Sequence, residues 1–404
     1  MFPIRSRFSI KKAFYIILGI LFIFSLHQNG VFHAPGRFLI PEDDQYADDE
    51  VYHQNSQDFR YSVQRKSHCK PKEKVVFLKT HKTASSTAVS IIERYGFNRN
   101  FTFAVSNSAL KFYHAPLFSR SMVHELSDSA IGWKKADGYH MLTNHARFNK
   151  AEMDDVVHNA TYFTIVRNPV DQLESAFGYF GLGTSMGFKK NNQLEEFMKD
   201  PKKHFGSVKK GYWQFAKNNQ LFDLGLDHKY HDDSDVVTDT IHKLDHDFDL
   251  VMVSEYFDES VILLRRLLCW DIEDVLYISK AIRSKSHRLQ MDVNLREKIQ
   301  AWNKADVQLY QHFNKTLWRK IKEYGPTFQR DLDYYRTRLG EVEEECIDLS
   351  QKNSRDVREV KYVLRKGAPH YCQELLWGDV EYTRFIQRRM WDRGILLPHP
   401  KAQG

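Results

Sequence analysis

The chain has 404 residues, 42% of them hydrophobic, so it is long enough to bury a large core in one domain or two. A formal net charge of +7 suits a protein that meets anions, although 52 acidic residues dilute the field. Because no basic run or nucleic-acid motif accompanies the charge, the composition argues against a nucleic-acid partner.

The N-terminus has the charge and hydropathy of a membrane-inserting segment. Four basic residues precede an uncharged apolar stretch from Ala13 to Leu26. This stretch is short against the roughly 20 residues of a transmembrane helix, and it would also suit the apolar core of a cleaved signal peptide. Because the residues that follow offer no convincing cleavage site, we predict a transmembrane signal-anchor over residues 13–26 and a cytosolic tail over residues 1–12.

The rest of the chain is then expected in the lumen of the secretory pathway. Residues 27–70 are polar with little periodic hydrophobicity, which predicts a flexible stem, and residues 71–404 are predicted to form one lumenal domain. Three glycosylation sequons agree with this compartment, at Asn100, Asn159 and Asn314.

Four cysteines allow two disulfides in an oxidising compartment, with three connectivities open: Cys69, Cys269, Cys346 and Cys372. The segment 341–404 contains two of the four, which favours a bridge between Cys346 and Cys372. No CxxC pair suggests zinc.

The folded part begins with two strand–loop–helix units. The β-branched, apolar "VVFL" starting at Val75 predicts a buried strand, followed by a loop and a helix to about Tyr95. A second strand is predicted over Tyr162–Val166, with a turn at Asn168–Pro169 and a helix from Val170. With a third strand in "FDLVMVSE", the alternation predicts an α/β fold whose central, mainly parallel sheet is flanked by helices.

The remaining segments are predicted mainly from helical periodicity. Residues 256–270 have a helical rhythm, and residues 297–325 form a long amphipathic helical stretch. Residues 181–240 have weak periodicity, so we expect acceptor-binding loops there. Within the C-terminal segment, helices are predicted in "DVREVKYVLRK" and "DVEYTRFIQRRMWDRG", residues 356–366 and 379–394.

The loop "KTHKTASST", residues 79–87, joins the first strand to its helix. A loop at that place points backbone N–H groups at an anion, and its hydroxyls and lysines add further donors. The alternative is that Ser and Thr side chains cap the helix while the lysines are solvated. The loop has no glycine, so it is not a Walker loop, and nucleoside triphosphate hydrolysis with magnesium is disfavoured.

The second unit offers another anion site. Arg167 follows its strand directly and Ser175 lies in its helix, so the two could clamp a second phosphate. The alternatives are a surface ion pair of Arg167 with Asp171 or Glu174, and a neutral helix position for Ser175. Two anion sites at neighbouring strand ends favour a bisphosphate nucleotide as ligand.

These two motifs resemble the galactose 3-O-sulfotransferases, which use 3′-phosphoadenosine 5′-phosphosulfate (PAPS) as sulfuryl donor. "FLKTHKTASST" is similar to the family's 5′-phosphosulfate loop, and "IVRNPVDQLESAFGYF" to its 3′-phosphate motif. The likeness continues through "SEYFDESVILLRRLLCW" and "LYQHFNKTLW", so it covers roughly Val75 to Trp318. It implies a P-loop-like sulfotransferase fold, and a type II topology in the Golgi membrane.

The resemblance also implies roles for the residues of both motifs. Lys82 would stabilise the leaving oxygen of the donor, a task for which one preorganised donor is worth about 3–4 kcal/mol. Arg167 and Ser175 would bind the 3′-phosphate. The 5′-phosphosulfate would be held, together with Lys82, by Thr83, Ala84, Ser85, Ser86 and Thr87.

Removing the proton from a sugar hydroxyl calls for a positioned base, and histidine is the natural candidate. His145 follows a predicted short strand and resembles the histidine of related uronyl 2-O-sulfotransferases, so it ranks first; His81, inside the phosphate loop, ranks second. The alternatives are a buried, hydrogen-bonded His145 and a supporting anion contact from His81. The histidines and aspartates of "DHKYHDD", residues 227–233, are interpreted as a charged loop, and no metal is predicted.

The predicted function is transfer of sulfate to the 3-hydroxyl of galactose on a glycolipid or glycoprotein. The predicted partners are that acceptor and the Golgi membrane, with a homodimer left open. Three alternatives remain: sulfation of another sugar hydroxyl in a glycosaminoglycan, an inactive glycan-binding protein on the same fold, and a lumenal kinase with a modified phosphate loop.

Overall fold

A computed structural model describes residues 69–107, 112, 116–130, 133–134, 138–189, 192–208, 211–279, 289–348 and 362–397. Its strands are β1 Val75–Leu78, β2 Ser129–Ala130, β3 Trp133–Lys134, β4 Met141–Leu142, β5 Thr161–Val166 and β6 Leu250–Val253. Its helices in the first half are α1 Ser85–Asn98, α2 Lys150–Asp154, α3 Pro169–Phe180, α4 Leu182–Ser185, α5 Gln193–Phe197, α6 Pro201–Phe205, α7 Asn219–Asp223 and α8 Ser234–Asp247. Those in the second half are α9 Phe257–Leu268, α10 Ile272–Val275, α11 Val293–Trp302, α12 Lys304–Tyr324, α13 Phe328–Cys346, α14 His370–Leu376 and α15 Asp379–Asp392.

The central sheet is parallel and has the strand order β4-β1-β5-β6. Val75 pairs with Met141 on one side and Thr161 on the other. All residues of β1, β5 and β6 are buried, which is why these strands are almost continuously apolar in sequence. The three predicted strands and the α/β class are thereby confirmed.

The strand order places a reversal at β1. The chain passes from β1 to β4 at one edge and then to β5 on the opposite side of β1. In open α/β sheets, ligands bind outside the carboxyl ends of the strands at such a reversal. The loops that leave β1 and β5 therefore lie side by side at the place where a ligand is expected.

Two disulfides connect distant parts of the fold. Cys346, at the end of α13, is bonded to Cys372 in α14, as the sequence predicts. The second bridge joins Cys69 to Cys269, directly after α9.

Two helix predictions need correction. The stretch 297–325 is not one helix, because α11 ends at Trp302 and α12 begins at Lys304. Asn303 at the break accepts a hydrogen bond from the backbone N–H of Asn218 at 2.8 Å, so a tertiary contact replaces helix continuity. The helix predicted over residues 356–366 is wrong for the described residues 362–366, where Leu364 pairs with Ile347 in an antiparallel bridge.

The segment 181–240, predicted as loops, contains short helices and the start of α8. Asp233 begins α8 by accepting N–H bonds from Asp235 and Val236, and these local caps are weak signals in a hydrophobicity profile. Within the described residues, every helix is too short or too polar to cross a membrane. The predicted anchor over residues 13–26 and most of the predicted stem lie outside the described part of the chain.

Candidate active site

The loop after β1 adopts a conformation that usually requires glycine. Lys82 has φ 62° and Ala84 has φ 67°, in the left-handed region that disfavours residues with a Cβ atom. Hydroxyl groups hold the loop in this shape: Thr80 Oγ1 donates to the Ile165 carbonyl at 2.5 Å, and Ser85 Oγ donates to the Thr80 carbonyl at 2.5 Å. One hydrogen bond to β5 and one within the loop thus stabilise a backbone conformation for which a Walker loop uses glycines.

The hydroxyl run predicted to hold the 5′-phosphosulfate is mostly internal. Thr83 Oγ1 lies 2.7 Å from Thr80 Oγ1, and Thr83, Ser85 and Thr87 are buried, whereas Ser86 is partly exposed and Ala84 exposed. The alternative that a Ser or Thr side chain caps α1 does not hold, because the residue before the helix is Ala84 and no side chain caps the helix. The N–H groups of Thr87 and Ala88 donate to the Ala84 carbonyl, and the helix N-terminus without a side-chain cap is the arrangement that favours an anion.

Arg167 lies beside this loop, as the strand order requires. Its Nη1 donates to the Lys82 carbonyl at 3.1 Å, while its backbone N–H and C=O pair with the side-chain amide of Gln220 at 2.7 and 2.9 Å. The guanidinium lines a pocket of about 290 Å³. The other lining residues are Asp171, Glu174, Leu289, Gln290, Met291 and Arg296.

The pocket contains charges of both signs. Arg296 Nη1 lies 3.6 Å from Asp171, so this arginine, which the sequence analysis did not single out, completes a pair of guanidinium groups beside two carboxylates. Ser175, predicted to contact the 3′-phosphate, is half-buried in α3 and is not among the described residues that line the pocket. The joint contact of Arg167 and Ser175 with a 3′-phosphate stays a prediction.

His81 is oriented by a buried carboxylate. Asp223 Oδ2 accepts from the His81 backbone N–H at 2.8 Å and from its Nδ1 at 2.9 Å. The His81 carbonyl in turn accepts from the side chain of Gln172 at 3.0 Å. Since a carboxylate only accepts hydrogen bonds, the hydrogen of a neutral His81 ring lies on Nδ1, and Nε2 is the nitrogen that can accept a proton.

His145 stacks on His81, with ring centroids 4.1 Å apart and planes inclined by 10°. Its Nδ1 lies 3.0 Å from the Lys79 carbonyl, an acceptor, so Nδ1 again carries the hydrogen. The two histidines ranked as candidate bases therefore lie in one cluster with the same tautomer, and they differ in the partner of Nδ1, which is a carboxylate for His81 and a backbone carbonyl for His145.

The two lysines of the loop have different surroundings. Lys79 is 3% exposed, and its ammonium is paired with Asp379 at the start of α15. Lys82 is partly exposed, and its Nζ lies 3.6 Å from the ring centroid of Tyr179 in α3. Lys79 therefore connects the loop to the C-terminal helix, whereas Lys82 lies at the edge of the site.

Sequence reasoning missed the residues that hold this cluster from α7. Asp223 and Gln220 belong to "NNQLFD", in which the four polar side chains are buried together with the two apolar ones. Asp306 caps this helix by accepting the N–H groups of Gln220 and Leu221 at 3.0 and 2.9 Å, and burial raises the pKa of Asp306 to about 7. Such a polar run inside a core is the one sequence signal that could have identified them.

The segment 227–233 has its own local partners. Lys217 pairs with Asp232 at 2.8 Å, and burial lowers the pKa of His228 and of His231 to about 4. Across the described residues, no group of three or more His, Cys, Asp and Glu side chains has the arrangement of a metal site.

A sequence profile described as Galactose-3-O-sulfotransferase matches residues 38–365. The chain belongs to this family. Galactosylceramide sulfotransferase of Bos taurus is 35% identical over 347 residues, 80% of each chain. Galactose-3-O-sulfotransferase 2 of Mus musculus is 32% identical over 347 residues, 80% of this chain and 87% of the relative.

The family assignment confirms the resemblance drawn from the two motifs and makes the protein a sulfotransferase. A solved sulfotransferase from Alicyclobacillus acidocaldarius superposes with a TM-score of 0.34 at 13% identity, covering 60% of this chain and 95% of that one. A likeness this low carries no argument about the site.

Proposed function

We propose that this galactose-3-O-sulfotransferase family member transfers the sulfuryl group of PAPS to the 3-hydroxyl of a galactose residue on a glycolipid or glycoprotein. The observation that carries the proposal is that the loop after β1 and the residue after β5 lie side by side, where Arg167 donates to the loop carbonyl of Lys82. A nucleotide with phosphates at both its 3′ and 5′ positions needs two such sites side by side.

The residues of the site fit this donor. The uncapped first turn of α1 supplies backbone N–H groups for the 5′-phosphosulfate, and the pocket beside Arg167 supplies two guanidinium groups for the 3′-phosphate. Lys82 lies between them and is the cation available to neutralise charge on the leaving oxygen. The donor supplies an activated sulfuryl group, and the protein contributes position and charge.

His81 is our choice of proton acceptor, in preference to His145. The acceptor oxygen forms a bond to sulfur while the bond from sulfur to the bridging phosphate oxygen breaks, and the hydroxyl proton passes to Nε2 of the histidine. The resulting imidazolium is stabilised best where Nδ1 already donates to a carboxylate, and Asp223 supplies that carboxylate to His81. His145, which donates to a neutral carbonyl, packs against the ring and fixes its plane.

The cellular setting belongs to the proposal as well. A signal-anchor over residues 13–26 would place the catalytic domain in the Golgi lumen as a type II membrane protein. Two disulfides support an oxidising compartment. Exposed turn positions at Asn100 and Asn159 suit glycosylation, and sedimentation of the detergent-solubilised chain would show whether it forms a homodimer.

The test is transfer of radiolabelled sulfate from PAPS by the full chain in detergent, with galactosylceramide, lactosides and desulfated glycosaminoglycans offered in parallel. We expect label on the galactosides. Label on glycosaminoglycan alone would assign a different acceptor hydroxyl. Binding of the product nucleotide, 3′-phosphoadenosine 5′-phosphate, without transfer to any acceptor would favour a glycan-binding protein on this fold.

A further inference from the structure

Tyr179 is the aromatic residue that stands out at the site. It lies near the end of α3 and is 62% exposed, although its neighbours in the helix pack into a core. Scattered exposed aromatic rings are common on protein surfaces and need no explanation. This ring differs because the ammonium of Lys82, our candidate for stabilising the leaving group, lies 3.6 Å from its centroid.

Tyr179 also forms the outer end of a row of rings that leads to the candidate base. It meets Phe180 edge-on, with centroids 5.0 Å apart, and Phe180 stacks on Phe215 at 3.8 Å. Phe215 then packs edge-on against His81 at 4.8 Å. One continuous aromatic wall, defined by Tyr179, Phe180 and Phe215, thus runs from solvent to His81.

Such a wall matches the chemistry of a galactose acceptor. A galactopyranose ring presents the C–H groups at C3, C4 and C5 on one face, and these weakly positive groups pack on the negative face of an aromatic ring. The equatorial 3-hydroxyl points outward from that face and stays available for reaction. Resting on the function proposed above, we infer that the Tyr179 ring is the platform on which the acceptor galactose stacks.

Lys82 couples this platform to the donor. Contact with an exposed tyrosine ring favours the ring-bound position of a lysine ammonium by about two- to fivefold in population. Hydrogen bonds from an ammonium to phosphate oxygens are stronger than this contact. Donor binding therefore draws Lys82 off the ring and exposes the face that the sugar needs. Nucleotide binding should therefore raise the affinity for the acceptor, and acceptor binding should raise the affinity for the nucleotide by the same factor.

The experiment compares two substitutions of Tyr179 with a control, using the full chain in detergent. Tyr179→Ala should raise the KM for a lactoside about tenfold with kcat changed less than threefold, whereas Tyr179→Phe, which keeps the ring, should stay within twofold of the wild type. Trp391→Ala is the matched control, because Trp391 is also an exposed aromatic ring near the end of a helix, α15, and packs edge-on against His124. It should leave both constants unchanged.

A second measurement distinguishes a platform from a purely structural role. By calorimetry, Tyr179→Ala should bind 3′-phosphoadenosine 5′-phosphate about two- to fivefold more tightly than the wild type, because Lys82 no longer has to leave a ring. A variant with damaged structure would bind the nucleotide more weakly.

The outcomes separate the inference from the proposed function. A wild-type chain that transfers no sulfate to any galactoside refutes the proposed function. A wild-type chain that does so, together with a Tyr179→Ala variant of unchanged KM, refutes the platform. Loss of acceptor affinity in Tyr179→Phe as large as in Tyr179→Ala refutes stacking in favour of a hydroxyl contact.

Discussion

Replacing Asp223 by asparagine tests the choice of proton acceptor most directly. The carboxylate accepts both the backbone N–H and the Nδ1–H of His81, at 2.8 and 2.9 Å. An asparagine side chain has one oxygen for these two donors, and its NH₂ group must then face a donor or turn away. The substitution keeps the shape of the side chain and removes the charge that would stabilise a protonated His81.

The expected effect on turnover is large. A hydrogen bond to a charged group contributes about 1.5–3 kcal/mol, and the ion pair that forms only when the imidazole is protonated acts on the transition state. At about 1.36 kcal/mol for each factor of ten, we expect Asp223→Asn to lower kcat by about 10- to 150-fold with little change in the KM for the donor. The loss of stability should be of similar size, about 1–3 kcal/mol.

The assay is sulfate transfer at saturating donor and acceptor, with calorimetric binding of the product nucleotide as the check that the fold is intact. Asp258→Asn is the matched control, since Asp258 accepts from Tyr277 and Arg336 in a different part of the fold. The reasoning fails if Asp223→Asn turns over like the wild type while His145→Gln is inactive. That pair of results would assign the proton to His145.

Three further predictions concern the C-terminal helix, acid stability and glycosylation. Asp379→Asn should lower kcat about tenfold, because it removes the ion pair that holds the buried Lys79, the residue whose backbone carbonyl fixes His145. Asp379→Glu should restore activity, and equal activity of all three proteins would exclude this positioning role. Burial lowers the pKa of His231 to about 4. The contribution of the neutral His231 ring to the free energy of unfolding is therefore complete above pH 6.5, and it decreases as the pH falls toward 4, by about 2 kcal/mol at pH 5. Urea unfolding at pH 7 and pH 5 should show a loss about 2 kcal/mol larger in the wild type than in His231→Phe, because His228, whose pKa burial also lowers to about 4, contributes to the loss in both; an equal loss in both proteins would contradict it. Asn159 lies exposed in a turn, whereas Asn314 lies inside α12 with its side-chain oxygen buried. Mass spectrometry should therefore find glycan on Asn159 and none on Asn314, and the reverse pattern would refute this assignment.

Asp306 opposes the effect of His231 on the pH dependence of stability, so the measurement has to compare the wild type with a variant. Burial raises the pKa of Asp306 to about 7, so the stability that this group contributes is present below pH 4 and is lost as the pH rises toward 7. Its slope with pH is opposite in sign to that of His231. Only the difference between wild type and His231→Phe isolates the histidine.

Local sequence was sufficient for the elements that carry the two motifs. The apolar strand β1, the strand β5 and the helix that begins at Pro169 follow from β-branched runs, a proline and an Asn cap, all of which act within a few residues. The position of residues 79–87 between a strand and a helix predicts an anion site there. The interruption at Asn303 was not predictable in this way, because its partner Asn218 lies 85 residues earlier.

The sequence by itself therefore determined the class of the fold, the two motifs and the residue types available for chemistry. Tertiary structure alone decided which of these side chains meet: Asp223 with His81 across 142 residues, Asp379 with Lys79 across 300, and the ring of Tyr179 under the ammonium of Lys82. The physical reason is the distance along the chain over which each kind of interaction acts. Propensity, capping and periodicity act over one or two turns, whereas a hydrogen bond or an ion pair between distant segments depends on how the sheet and its helices pack.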